Sequence, residues 1–239
     1  MTELNTIYNE DCLETMAKTP DGMINLTITS PPYNLGNSHH TGNKRHNPYD
    51  DDLPEADYMK QQIEVLERLY DKTSDDGSLI YNHKNRFKKG VSITPYSWLL
   101  QTRWIVKQEL VWFNGSQNFD KMRFYPMTER LYWLAKSPET KLQNNINAHD
   151  TFKWTSEGTG KSHTRAFPEQ LVKDMVACFP ESKIIYDPYM GSGTVAKVAK
   201  EYGRYYIGSE ISAEYCKIAE SRLAQGVLDL SGIGMKGKQ

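Results

Sequence analysis

Ile184-Ile185-Tyr186-Asp187-Pro188-Tyr189-Met190-Gly191-Ser192-Gly193-Thr194 is the stretch on which the fold turns. Its first residues are β-branched and aromatic and read as a short buried strand, which ends at an aspartate and a proline. Two glycines one residue apart follow, and Thr194-Val195-Ala196 opens a helix. Strand, glycine-rich turn and helix in that order form the pattern of a nucleotide-binding turn, where backbone approaches a ligand closely at a helix N-terminus. An isolated Gly-x-Gly is weak evidence and on its own means a tight turn. The Asp-Pro-Tyr before it and the threonine after it sharpen the reading.

Working outward, Pro168 stands at a helix start, with Leu171, Val172, Met175 and Val176 as the apolar face. That helix, a strand over 183–186, the glycine turn and a helix over 194–202 make one α/β unit with the short spacing of parallel sheets. Tyr205-Tyr206-Ile207-Gly208-Ser209-Glu210 reads as the next strand. Its carboxylate falls about 20 residues beyond the glycine turn, the spacing of a ribose ligand. Ser212 can cap a last helix over 213–225, and the tail from Gly226 is expected to fray.

A second motif lies far upstream. Met23-Ile24-Asn25-Leu26-Thr27-Ile28 alternates as a strand and runs into Thr29-Ser30-Pro31-Pro32-Tyr33-Asn34. The adjacent prolines lack N–H groups and hold the backbone extended, so the strand stops at a rigid shelf rich in acceptors. Beside it, the face of Tyr33 can stack on a planar ring whose amino edge donates to the shelf. Alone, such a stretch is a Pro-Pro turn with an aromatic plug; the glycine turn downstream is what favours a site.

Together the two motifs resemble the amino-methylating DNA methyltransferases that use S-adenosylmethionine. In that family a Ser/Asp/Asn-Pro-Pro-aromatic motif holds the target base and a Phe-x-Gly-x-Gly loop holds the cofactor. The catalytic motif comes first here, as in the family's permuted β group, and Tyr189 stands where phenylalanine is commoner. The resemblance implies an α/β, Rossmann-like class I methyltransferase fold, with a doubly wound, mostly parallel sheet and circularly permuted motif order. It implies one domain over 1–225, with DNA-recognition loops inserted near 35–54, 115–126 and 138–162 and a flexible tail over 226–239. The implied catalytic residues are Ser30, Pro31, Pro32 and Tyr33. The implied cofactor set is Asp11, Phe167, Asp187, Tyr189, Gly191, Ser192, Gly193, Thr194 and Glu210. Asp11 would accept from the cofactor's adenine amino group, although capping a helix is its plainer role, as it is for Asp187.

Double-stranded DNA is the implied partner, and the resemblance admits a homodimer and a companion restriction endonuclease. Where the family's motif begins with serine, as at Ser30, cytosine N4 is the usual target; adenine N6 is the alternative. RNA, a protein amide or a small amine would suit the same fold, and a DNA-binding module with a decayed site is the non-enzymatic rival. Ser30, Tyr33 and Asp187 are all chemically competent, which argues against decay.

At 239 residues one α/β domain is the expectation, and no stretch is apolar and long enough to cross a membrane. The amino terminus has no signal-peptide pattern, so a cytoplasmic location is expected. Cys12, Cys178 and Cys216 lack CxxC spacing, and no metal is expected; His39, His40 and His46 share one polar loop and read as solvated. The formal net charge of −1 does not announce a nucleic-acid binder. Lys84, Arg86, Lys88 and Lys89 crowd one segment and Lys44, Arg45 and His46 another; these are solvated faces or flanks of a DNA cleft.

Other expected elements are a helix capped by Asp11 and running to Lys18, a helix over 55–71, a turn at Gly77 with a strand to Asn82, a helix containing Trp98, Leu99 and Leu100, and strands over 109–114 and 130–135. The loop between those last strands carries Phe119, Phe124 and Tyr125, which either stack on bases or fill core. A polar stretch over 138–161 holds Trp154 and ends in Gly-Lys-Ser without the glycine spacing of a P-loop. It reads as a recognition or flanking loop.

Overall fold

The computed structural model describes residues 1–36, 51–115, 121–145, 148–154 and 168–230. In chain order the elements are β1 (Thr6–Tyr8), α1 (Cys12–Lys18), β2 (Ile24–Thr29), α2 (Glu55–Lys72), β3 (Thr73–His83), β4 (Arg86–Lys88), β5 (Val91–Ile93), α3 (Tyr96–Leu99), β6 (Ile105–Phe113), β7 (Thr128–Ala135), β8 (Thr151–Phe152), α4 (Glu169–Cys178), β9 (Ile184–Asp187), α5 (Thr194–Glu201), β10 (Tyr205–Ser209) and α6 (Ala213–Leu230). The main sheet has eight strands in the order β1-β10-β9-β2-β3-β7-β6-β8, and β4 pairs with β5 in a separate hairpin. From β1 to β3 every pairing is parallel; β7 runs antiparallel to both β3 and β6.

Strand residues alternate between two cores, as a sheet covered on both faces requires. Ile185 of β9, Ile80 of β3 and Leu131 and Trp133 of β7 pack with Leu171 and Val172 of α4 and Val195 of α5. Their neighbours Tyr186, Leu79, Tyr81, Tyr132 and Leu134 face the opposite way, onto Met16 of α1, Leu66 of α2 and Trp98 of α3. Helix α5 returns the chain from β9 to β10 on one face, and α2 returns it from β2 to β3 on the other. A crevice therefore opens at the carboxyl ends of the adjacent strands β9 and β2, the switch point of a doubly wound sheet. The strand bearing the Pro-Pro shelf precedes the glycine-turn unit in the chain, which is the expected permuted order.

Three sequence expectations need correction. Gly77 is no turn: β3 runs unbroken from Thr73, and its pairing with β2 shifts register between Ile24 and Leu26. A Cβ at Gly77 would lie 2.5 Å from Thr73 Cγ2 and 2.9 Å from the Asn25 carbonyl, so the glycine serves a tightly packed bulge. The chain from Gly226 does not fray at once, because α6 continues to Leu230; one interior glycine costs a helix only about 1 kcal/mol and no proline intervenes. Within 138–161, β8 adds to the sheet edge beside β6, and Trp154 is buried, its ring stacked on Phe152 at 3.9 Å. That part of the stretch is core.

Gly193 is required by two independent constraints. Its φ of +81° is left-handed, and a Cβ would sit 2.7 Å from Ala219 Cβ and 3.0 Å from Ala219 Cα on α6. The left-handed backbone costs about 1–2 kcal/mol and overpacking about 1–3 kcal/mol. Gly193→Ala is expected to lower the melting temperature by roughly 5–15 °C in scanning calorimetry. An unchanged melting temperature would mean that α6 does not press on the glycine turn.

Candidate active site

The parallel strands place the residues of both motifs on one edge of the sheet. Asp187 ends β9, Glu210 follows β10, Asp11 follows β1, and Ser30 follows β2. Across the crevice the Thr29 hydroxyl donates to Asp187 Oδ1 at 2.8 Å, linking the shelf strand directly to the glycine-turn strand.

Asp187 is 2% exposed and also accepts from the Tyr189 N–H at 3.0 Å. Burial pushes its carboxyl up to about 7; the nearby Glu210 carboxylate adds to the rise, and the bonds from Thr29 and Tyr189 oppose it. Glu210, buried like Asp187, accepts from the Gly191 N–H at Oε2 and from the Ser212 N–H at Oε1, both at 2.8 Å. It thereby braces the glycine turn from the next strand. Gly191 has φ +54°, and among the described residues, its chain neighbours aside, nothing lies nearer than 3.9 Å to where its Cβ would be, so the turn offers open backbone. Two acidic side chains beside such a turn fit a ligand that is cationic and carries hydroxyl groups.

The remaining residues of that set divide. Ser192 and Thr194 face α6, where Arg222 donates to the Ser192 carbonyl (2.7 Å), Ser192 Oγ (3.0 Å) and Thr194 Oγ1 (3.2 Å). These contacts give both side chains a part in holding the turn. Tyr189 packs against the core on the α1 side. Asp11 caps α1, its Oδ1 accepting from the Leu13 N–H at 2.8 Å, and it stands at the same edge. Phe167 and His39, His40 and His46 lie outside the described residues, as do Lys44 and Arg45, Phe119 and Gly158 to Lys161.

The shelf itself is held by groups that the sequence reading did not single out. Ser30 Oγ lies 2.7 Å from the Tyr33 hydroxyl and 3.2 Å from Asn82 Oδ1. The Tyr33 hydroxyl is also 2.7 Å from Asn82 Oδ1 and 3.0 Å from Glu129 Oε2. Asn82 is the last residue but one of β3 and Glu129 the second of β7, so the sheet order brings them to Ser30. Burial and the neighbouring Glu129 raise the Tyr33 phenol well above its ordinary value, so it remains a neutral hydroxyl. Beneath the shelf, the Tyr58 hydroxyl reaches the Pro32 carbonyl at 2.8 Å and His83 Nε2 at 2.7 Å. Burial is the main cause that pushes His83 down to about 3, leaving a neutral ring whose Nδ1 donates to the Lys84 carbonyl at 2.8 Å. Tyr33 leans on that ring, centroids 4.6 Å apart. In sequence, Asn82, Glu129, Tyr58 and His83 look like ordinary strand and helix residues, and no local signal marks them.

The basic segment also divides. Arg86 is buried and forks onto Glu55 at 2.8 and 2.5 Å, with its guanidinium over Tyr58, so it is structural. Lys84 pairs with Glu129 at 3.3 Å, while Lys88 and Lys89 stand exposed on the β4–β5 hairpin. Phe87 of that hairpin receives Arg123 over its ring at 5.0 Å, and Phe124 next to it is 98% exposed. Core packing is therefore excluded for Phe124.

A doubly wound sheet thus carries an acidic glycine turn and a Ser-Pro-Pro-Tyr shelf side by side at its switch point, the arrangement expected from the resemblance to methyltransferases. Residues 24–221 match a family model described as DNA methylase, the N6/N4 methyltransferase family. The chain belongs to that family, which bears out the resemblance to S-adenosylmethionine-dependent DNA amino-methyltransferases. A type II methyltransferase of Streptomyces caespitosus, M.ScaI, is 27% identical over 91% of this chain and 80% of its own length. Among solved structures, the PvuII DNA methyltransferase, named as cytosine-N4-specific, superposes with a TM-score of 0.75 at 20% identity, over 96% of this chain and 92% of its own. A Thermus thermophilus protein solved in complex with S-adenosyl-L-methionine superposes with a TM-score of 0.70 at 17% identity, over 92% of this chain and 93% of its own. No helix among the described residues is long and apolar enough to cross a membrane.

Proposed function

We propose that this protein moves the methyl group of S-adenosylmethionine onto N4 of a cytosine flipped out of duplex DNA. The observation that carries the reading is the position of Ser30: its hydroxyl is fixed at the carboxyl end of β2, and the preceding residue bonds to Asp187 of the cofactor turn. Donor and acceptor sites thus lie on adjacent strands of one edge.

Asp187, Glu210 and the Gly191 backbone would hold the cofactor's charged and ribose parts, with Asp11 as acceptor for its adenine amino group; when bound, it supplies an electrophilic methyl on a sulfonium. The target base lies inside the stack, and flipping it costs a few kcal/mol. Tyr33 then gives the base a face to stack on. Ser30 Oγ and the Pro31 carbonyl accept from its exocyclic amine, which draws that nitrogen's lone pair out of ring conjugation and aims it at the methyl group. Orientation and fixed dipoles supply the rate, and no covalent bond to the protein is needed. Exposed Lys88, Lys89 and Phe124 suit contact with the duplex backbone and stacked bases, in keeping with a recognition loop over 115–126.

Serine as the first residue of the motif supports cytosine over adenine, and the name of the PvuII enzyme, whose fold this chain shares, points the same way. Mass spectrometry of nucleosides from DNA methylated by the purified protein tests it: N4-methylcytosine is expected. N6-methyladenine as sole product would refute the base assignment and leave the family reading intact.

The elevated Asp187 carboxyl gives cofactor binding a pH signature. Only the ionised form attracts a cation, and with a value of about 7 its ionised fraction rises from roughly 3% at pH 5.5 to half at pH 7. Calorimetry should therefore show affinity for S-adenosylmethionine rising roughly 15-fold over that interval. Asp187→Asn should be weak and flat throughout. A flat wild-type profile would take Asp187 out of the cation site.

A further inference from the structure

We propose that Glu129 is a positioning residue that acts through the Tyr33 phenol to hold Ser30 as a pure acceptor toward the target amine. This rests on the aminomethyltransferase reading of the site. Ser30 and Tyr33 share two hydroxyl protons, and four close oxygen–oxygen approaches need them: Ser30 to Tyr33, Tyr33 to Asn82, Tyr33 to Glu129 and Ser30 to Asn82, at 2.7, 2.7, 3.0 and 3.2 Å. Neither Asn82 Oδ1 nor the Glu129 carboxylate can give a proton. The Asn82 amide cannot turn round at no cost, because its Nδ2 donates to the Arg130 carbonyl at 2.9 Å. Glu129 is anchored in turn at Oε1 by Asn114 Nδ2 at 3.0 Å and by the Lys84 ammonium.

Proton counting then decides which way Ser30 points. If its proton turned outward, only the Tyr33 proton would remain for all four approaches, and partly buried oxygens would face each other bare. With the proton turned inward, to Tyr33 or Asn82, the Tyr33 proton is free to go to Glu129, a charge-assisted bond. Ser30 then shows the crevice only lone pairs. It performs as an amide or carboxylate oxygen would, and offers no proton to a ring nitrogen of the base. Asn82 and Glu129 are 52 and 96 residues from the hydroxyls they orient, which is why the motif alone does not reveal them.

A double-mutant cycle on the full chain tests the link. Wild type, Tyr33→Phe, Glu129→Gln and the double variant would be compared for tritiated methyl transfer to DNA from an unmethylated host, with saturating DNA and cofactor. Each single change should lower kcat about tenfold, the loss of one bond to a charged group, and the double variant should be no slower than the slower single. Cofactor affinity by calorimetry and DNA affinity by fluorescence anisotropy should stay at wild-type values in all four. Multiplying effects, about 100-fold in the double variant, would make Glu129 merely structural and overturn the proposal, as would wild-type kcat in either single. If Glu129→Gln does not fold, Tyr33→Phe alone decides, since the ring remains and only the link is cut: wild-type kcat refutes the proposal. A wild-type protein inert on DNA would sink the aminomethyltransferase reading, whereas an active wild type with an additive cycle would sink this inference alone.

Discussion

Replacing Ser30 by alanine is expected to lower methyl transfer to DNA by roughly 10²–10³-fold, with cofactor affinity unchanged. The exocyclic nitrogen of a base is a poor nucleophile because its lone pair is delocalised into the ring, and acceptors placed on its N–H bonds favour the pyramidal form that attacks. Ser30 Oγ is the side-chain acceptor on the shelf that the network around Tyr33 holds in place. Removing it leaves Asn82 Oδ1 and Glu129 Oε2 to share the Tyr33 proton, with Glu129 still held by Asn114 and Lys84, so the fold should persist. Single-turnover kinetics beside calorimetry would separate the two effects. Near-wild-type turnover would assign the shelf a structural role.

Glu210→Ala should weaken binding of S-adenosylmethionine by roughly 10- to 150-fold, from the loss of about 1.5–3 kcal/mol of hydrogen bonding to a charged acceptor. The effect has two sources. In the proposed site Glu210 accepts from the cofactor's ribose, and it also holds the Gly191 and Ser212 N–H groups, so its removal would loosen the proposed cofactor turn as well. Circular dichroism should report an intact fold with a somewhat lower melting temperature. Wild-type affinity in a folded variant would refute the ribose assignment. At Asp187 the same substitution is a poorer probe, because it strips both Thr29 and Tyr189 of an acceptor inside the core.

Short-range signals were enough for the sequence to determine the doubly wound fold and its permuted order. Alternation ended by Pro31 and Pro32 marked β2, the apolar run before Asp187 marked β9, and glycines before Thr194 marked the start of α5. Each depends on backbone chemistry that a few consecutive residues dictate: a missing N–H, a left-handed φ, a buried β-branched run. For the same reason Ser30, Tyr33, Asp187 and Glu210 could be read from the sequence as residues at the ends of strands, and the parallel sheet gathers those ends on one edge.

Tertiary structure alone decided what surrounds them. Asn82 and Glu129 reach Ser30 and Tyr33 because β3 pairs with β7 in one register, Asn82 opposite Leu131, and nothing local encodes that pairing. Arg222 closes on Ser192 and Thr194 only because Gly193 lets α6 approach the turn. Gly77 looked like a turn because a glycine's sequence context does not say whether it bends the chain or admits a neighbour; here Thr73 and the Asn25 carbonyl fill its space. Arg86 and Trp154, which read as candidates for contact with DNA, were claimed by Glu55 and by the sheet edge beside β6. Long-range hydrogen bonds and close packing depend on which surfaces meet, a property of the folded chain as a whole.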